Sequence, residues 1–190
     1  MNIIIFGPPG AGKGTQSDFI VKNYNLFQVS TGKILREEIK NNTEVGRKIS
    51  TLMSSGSLVE DKIVNKLIED IVSNKDYANR FIFDGYPRNL DQVNNLDNLL
   101  KKYNQKIDVV LKLSVSLETV KKRILERKTI EKRSDDNEEV AIKRYETYEK
   151  STEPVIEYYK KMNLLKVIDG ERSIDQINKE ISDLMAVIES

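Results

Sequence analysis

The chain contains no cysteine, no histidine and no tryptophan in 190 residues. Without cysteine there is no thiolate nucleophile, no disulfide and no cysteine–zinc site. Without histidine the commonest general base and the commonest transition-metal ligand are both missing. Chemistry performed by this chain therefore falls to Lys, Arg, Asp, Glu, backbone amides or a hard metal ion. No apolar run is long enough to span a bilayer, and the pattern of a signal peptide is missing. A cytoplasmic location with no membrane partner is the expectation. The formal net charge of +1 gives no general attraction to nucleic acid, so an anion site has to be built locally.

What is present is a lean core under a charged surface: 38% hydrophobic and 32% charged residues. That composition and length suit one compact α/β domain with a small insertion. Short β-branched or aromatic runs predict strands at Asn2–Phe6, Phe27–Ser30, Arg80–Asp84, Asp108–Leu113 and Leu165–Ile168. Their nearly continuous apolar character predicts a sheet buried on both faces. Amphipathic stretches at Gln16–Asn23, Lys62–Ser73, Leu90–Lys102 and Leu117–Arg127 predict helices between them, hence right-handed crossovers and a parallel sheet. Ser173 is placed to cap a closing helix. Two segments interrupt the alternation: Thr31–Val59, read as two short helices, and the charge-dense Lys128–Asn137 between two helices. Both are read as insertions over the carboxyl edge of the sheet, where ligands bind in such folds.

Proline and glycine are scarce overall, yet three glycines and two prolines crowd into the stretch just before Lys13, "GPPGAGKGT". Gly7, Gly12 and Lys13 have the spacing of a phosphate loop, between a predicted strand and a predicted helix. The glycines let successive amides turn inward toward an anion, and the helix N-terminus adds about half a positive charge. Pro8 and Pro9 restrict the alternatives of the unbound loop. Lys13 would reach the outer phosphates.

Together with three further motifs, "STGKILR", "DGYPRNLDQ" and "RSDDNEEVAIKRYETY", this loop resembles the signatures of the adenylate kinases and their nucleoside monophosphate kinase relatives, over essentially the whole chain. The resemblance implies a P-loop, three-layer α/β fold with a five-stranded parallel sheet in order 2-3-1-4-5. It further implies a core of residues 1–29, 60–122 and 138–190, a helical nucleoside-monophosphate-binding insertion at 30–59, and a short lid at 123–137. The implied reaction is reversible, magnesium-dependent transfer of the terminal phosphoryl group of ATP to AMP, giving two ADP. By the same resemblance ATP is held by Gly10, Ala11, Gly12, Lys13, Gly14, Thr15, Arg123, Arg127 and Arg172, with Arg123 stacking on the base. AMP is held by Thr31, Gly32, Arg36, Leu58, Val59, Gly85, Arg88, Gln92, Arg133 and Arg144. The catalytic set is Lys13, Asp84, Arg88, Arg123, Arg127, Arg133 and Arg144.

Phosphoryl transfer asks little of acid–base groups and much of charge neutralisation and in-line positioning, which arginine forks and amides supply. In the usual phosphate loop a hydroxyl directly follows the lysine and ligates magnesium; here Gly14 intervenes and the hydroxyl is Thr15. The family it resembles has the same arrangement, and the resemblance implies magnesium held by nucleotide phosphates and waters, with Asp84 in the place of the acid that orients those waters and no direct protein ligand. With neither Cys nor His a structural zinc is not expected. Lys33 stands where the family usually has an acid, and the segment "KTIEK" between Arg127 and Arg133 is short and lacks glycine.

Thr31 and Gln92 resemble the residues of the AMP-using members of the family, and an amide at Gln92 can accept from the adenine amino group and donate to a ring nitrogen. The alternative within the same fold is a UMP/CMP kinase; one from another class is a nucleotide-dependent switch without catalysis. Asp135 and Asp136 either cap the following helix or form salt links of a closed lid. Tyr145, Tyr148, Tyr158 and Tyr159 lie at helical spacing and read as packing residues. The expected partners are the small molecules ATP, AMP and ADP, and the expected state is a monomer.

Overall fold

The structure is a computed structural model that describes residues 1–131 and 137–189. Arg133, Asp135 and Asp136 lie outside the described residues. Five strands form one parallel sheet: β1 (Ile3–Phe6), β2 (Phe27–Ser30), β3 (Phe81–Asp84), β4 (Val109–Ser114) and β5 (Leu165–Asp169), in spatial order β2-β3-β1-β4-β5. The helices are α1 (Lys13–Tyr24), α2 (Thr31–Lys40), α3 (Glu44–Ser54), α4 (Asp61–Val72), α5 (Leu90–Lys102), α6 (Leu117–Glu131), α7 (Glu138–Lys161) and α8 (Ile174–Glu189).

Side chains alternate across the strands and divide the core in two. Ile4, Phe6, Phe81, Phe83 and Val110 join Val64, Val93, Leu96, Val155 and Tyr159, from α4, α5 and α7. Ile3, Ile5, Ile82, Val109 and Leu111 join Ile20, Val120, Ile124, Ile181 and Met185, from α1, α6 and α8. The sheet is thus sandwiched between helical layers, and the branched isoleucines of β1 suit a strand buried on both faces. Tyr148, Tyr158 and Tyr159 pack with the first cluster and Tyr145 with the second.

Two expectations are corrected. β5 is an edge strand, not one buried on both faces: Lys166 and Val167 are exposed, Val167 by 58%. A charged side chain on an open edge also discourages pairing with another chain. The charge-dense stretch after Arg127 is not all connector, because α6 runs through Lys128, Thr129 and Ile130 to Glu131. No proline or glycine stops it there. The segment 31–59 does carry two helices, α2 and α3.

Strand register places the functional edge. β1 lies between β3 and β4, so the chain departs to opposite sides of it, which makes the carboxyl end of β1 a topological switch point. Asp84 at the end of β3 pairs in register with Ile5 on one side and Ser30 on the other.

Candidate active site

Helix capping distinguishes one helix N-terminus from several others. Thr43, Asn89 and Asn137 cap α3, α5 and α7 by accepting from backbone N–H groups. Ser173 and Gln176 form a reciprocal capping box on α8. α1 starts from Gly12, which has no side chain to offer, and has no acid in its first turn. Its first N–H groups lack intrahelical acceptors and open into a cleft, which is the arrangement an anion satisfies. The loop reaches this shape through Gly10 and Gly12, at φ of 79° and 94°, in the region that L side chains avoid.

Lys13 folds back over this loop, donating to the carbonyl oxygens of Gly7 at 2.7 Å and Pro8 at 3.1 Å. Burial pushes its ammonium pKa down from 10.5 to about 8; Asp84 opposes the shift, and Arg88, Arg127 and Arg144 reinforce it. A cation under strain from neighbouring cations is what a polyanion relieves.

A single cleft of about 660 Å3 gathers the residues singled out from the sequence. Gly10, Ala11, Gly12, Lys13, Gly14 and Thr15 line it, as do Arg123, Arg127 and Arg172. So do Thr31, Gly32, Arg36, Leu58, Val59, Asp84, Gly85, Arg88, Gln92 and Arg144. Arg133 lies outside the described residues. Arg123 bridges the loop and the β5–α8 turn, donating to Gly170 O at 2.8 Å and Ala11 O at 3.4 Å. Glu171 fastens the same turn to α6 by accepting from Ser116 N at 2.8 Å and Thr119 Oγ1 at 2.6 Å. Those donors hold its carboxyl below the usual range. Arg172 is paired with Glu180. On the other side, the loop after α3 meets α7: Lys143 Nζ donates to Ser57 Oγ at 3.3 Å.

Asp84 is held from β2. Its Oδ2 accepts from Ser30 Oγ at 3.3 Å and from Gln28 Nε2 at 3.5 Å. Lys33, the unexpected base, donates to Gln28 Oε1 at 2.7 Å and lies 3.6 Å from Asp18. An ammonium has only donors, so it fixes the Gln28 amide with its NH2 end toward Asp84.

The wall around Gln92 is a connected hydrogen-bond network. Asn89 Oδ1 caps Gln92 N at 2.8 Å, Gln92 Oε1 accepts from Arg88 N at 2.7 Å, and Gln92 Nε2 donates to Asp61 Oδ1 at 2.7 Å. Asn89 Nδ2 also donates to Asp61, at 3.0 Å to Oδ2. Tyr86 OH donates to Asn65 Oδ1 at 2.7 Å and accepts from Asn95 Nδ2 at 2.9 Å. Gly85 turns the chain here at φ 81°, and Arg88 Nε and Thr31 Oγ1 both donate to its carbonyl, at 2.8 and 3.0 Å.

Sequence reading missed Ser30, Gln28, Asn89 and Asp61. Asn89 carried a signal, as a capping residue at the start of a predicted helix. Asp61 carried none, because it meets Gln92 only when α4 is laid against α5.

Comparison with known proteins agrees with this geometry. The adenylate kinase family model matches residues 5–164. An adenylate kinase of Pelagibacter ubique is 45% identical, over 98% of this chain and all of its own length. One of Leptospira biflexa is 44% identical over 94% of this chain and 96% of its own. One of Archaeoglobus fulgidus is 37% identical over the full length of both. A phosphate loop, an arginine-lined cleft and this likeness over the whole length converge: the chain belongs to the adenylate kinase family and is a nucleoside monophosphate kinase.

Proposed function

We propose that the protein transfers the terminal phosphoryl group of ATP to AMP, reversibly and with magnesium, giving two ADP. The observation that carries the choice of acceptor is the state of the Gln92 amide. A glutamine amide has two donor hydrogens and two acceptor lone pairs. Arg88 N takes one lone pair and Asp61 takes one hydrogen. One acceptor and one donor are left, which are the two kinds of group that adenine's amine and adjacent ring nitrogen call for. Neither cytosine nor uracil offers that pair with the reach of a purine.

In this reading the loop amides and Lys13 hold the ATP phosphates, with Gly10, Ala11, Gly12, Gly14 and Thr15 shaping the cradle. Arg123, Arg127 and Arg172 serve the donor side. Arg36, Arg88 and Arg144 grip the acceptor phosphate, with Thr31, Gly32, Leu58, Val59, Gly85 and Gln92 around the nucleoside. Each hydrogen bond from an arginine to phosphate contributes very roughly 1.5–3 kcal/mol before desolvation. Residues 30–59 act as the acceptor-binding insertion and the segment 123–137 as a short lid.

Magnesium fits this donor set as a phosphate-bound ion, not a caged one. Among the described residues no three His, Cys, Asp or Glu side chains are grouped to hold a metal. Asp84 offers a hard carboxylate at the cleft, next to the hydroxyl of Ser30, and Mg2+ keeps several waters that such a carboxylate orients. When bound, the ion neutralises charge on the phosphate oxygens. The test is a comparison of AMP, CMP and UMP as acceptors with one preparation. AMP at least a hundredfold better supports the reading; UMP or CMP preferred overturns it.

A further inference from the structure

Asp61 has no place in the site as read from the sequence, yet it closes the network behind Gln92. It is the first residue of α4, just after the segment 31–59, while Gln92 lies in the first turn of α5. The contact therefore joins two elements that frame the acceptor pocket. Gln92 is 3% exposed, so its amide has little freedom to exchange partners with water.

We propose that Asp61 is a positioning residue that sets the acceptor base, by fixing which end of the Gln92 amide faces the pocket. This rests on the reading of Gln92 as the base contact. The two ends of an amide are nearly the same shape, so packing alone does not choose between its two orientations. Charge does. A carboxylate only accepts, so Asp61 requires the NH2 end of Gln92, at 2.7 Å. Arg88 N only donates, so it requires the oxygen end, also at 2.7 Å. Flipping the amide would set Oε1 against a carboxylate and NH2 against an N–H, leaving both contacts repulsive. Asn89 holds Asp61 in turn, donating to both carboxylate oxygens at 3.1 and 3.0 Å.

The locked amide presents its remaining lone pair to an amine and its remaining hydrogen to a ring nitrogen. A 6-oxopurine such as hypoxanthine reverses that pattern, with a carbonyl in place of the amine and an N–H at the ring nitrogen. It would pair with the flipped amide and is refused by the locked one. Asp61, together with Arg88 N, thus separates AMP from IMP, although it touches neither.

The experiment measures AMP and IMP binding by calorimetry without ATP or metal, and steady-state kinetics with both acceptors, for Asp61→Leu, Asp61→Glu and Gln92→Leu. Asp61→Leu is expected to weaken AMP binding about tenfold, to narrow the AMP-over-IMP preference by about tenfold, and to leave kcat at saturating AMP within about threefold. Asp61→Glu keeps an acceptor and restores most of the preference, which a purely structural role for Asp61 would not require. If Asp61→Leu fails to fold, the Asp61→Glu protein still decides: binding of IMP as tight as that of AMP overturns the proposal. A Gln92→Leu protein that loses the preference while Asp61→Leu keeps it overturns the role of Asp61 alone. A Gln92→Leu protein that keeps the preference overturns both that role and the reading of Gln92 beneath it.

Discussion

Raising the pH should weaken ATP binding through one residue, Lys13. Its pKa in the free protein is about 8, lowered first by burial. The free enzyme therefore loses the Lys13 proton as the pH rises through about 8. Bound phosphates favour the charged form and restore the pKa toward 10.5 or above. Between these values binding must take up a proton, and apparent affinity falls with rising pH. With a pKa of about 8, roughly half of the free enzyme carries the proton at pH 8 and about one tenth at pH 9. The association constant should fall about fivefold between these pH values, close to 1 kcal/mol. Titration calorimetry in two buffers of different ionisation enthalpy reads the uptake directly: about 0.9 proton per ATP at pH 9 and little at pH 7. Stability of the free enzyme moves in the opposite direction. The unfolded chain holds more protons than the folded one between pH 8 and 10.5, so the buried ammonium's contribution grows more favourable as pH rises. Lys13→Met should bind weakly and with no such uptake. Uptake below about 0.2 proton at pH 9, or equal uptake in Lys13→Met, would refute the reasoning.

Three further outcomes are expected. Asp84→Ala should lower magnesium-dependent turnover far more than it lowers the urea midpoint; unchanged turnover would remove Asp84 from the mechanism. A Cβ at residue 85 would stand 2.8 Å from Thr31 Oγ1 and 3.2 Å from Arg88 Nη2, at a φ of +81°. Gly85→Ala should therefore raise KM for AMP at least tenfold and destabilise by about 1–3 kcal/mol, read by steady-state kinetics and chemical denaturation. Ile4 is fully buried between helical layers, so Ile4→Ala should cost about 2–5 kcal/mol in urea denaturation. An unchanged midpoint would argue against the sheet's placement.

The parts that sequence made legible are those where one local rule decides. The phosphate loop needs glycine and lysine at fixed spacing, so Gly7, Gly12 and Lys13 announced it and placed the strand before and the helix after. Strands read as short apolar runs, which located all five to within a residue or two. β5 misled because its neighbours decide its exposure: Leu165, Val167 and Ile168 look like a buried run, but among the described residues no strand pairs beyond β5. α6 overran its expected end because Lys128 to Glu131 contain no residue that breaks a helix. The support behind the pocket was illegible for a different reason. Ser30, Gln28 and Asp61 act on residues 31 or more positions away, through contacts that exist only once β2 lies beside β3 and α4 beside α5.

The most direct measurement is a crystal structure with two adenosines linked through a chain of phosphates. One adenine should lie with its amine within hydrogen-bond distance of Gln92 Oε1, the other beside Arg123, and the phosphates should run over the α1 N-terminus between Lys13, Arg88 and Arg144. A linked ligand bound by the loop at one end only, with no base beside Gln92 and those arginines turned into solvent, would contradict the account.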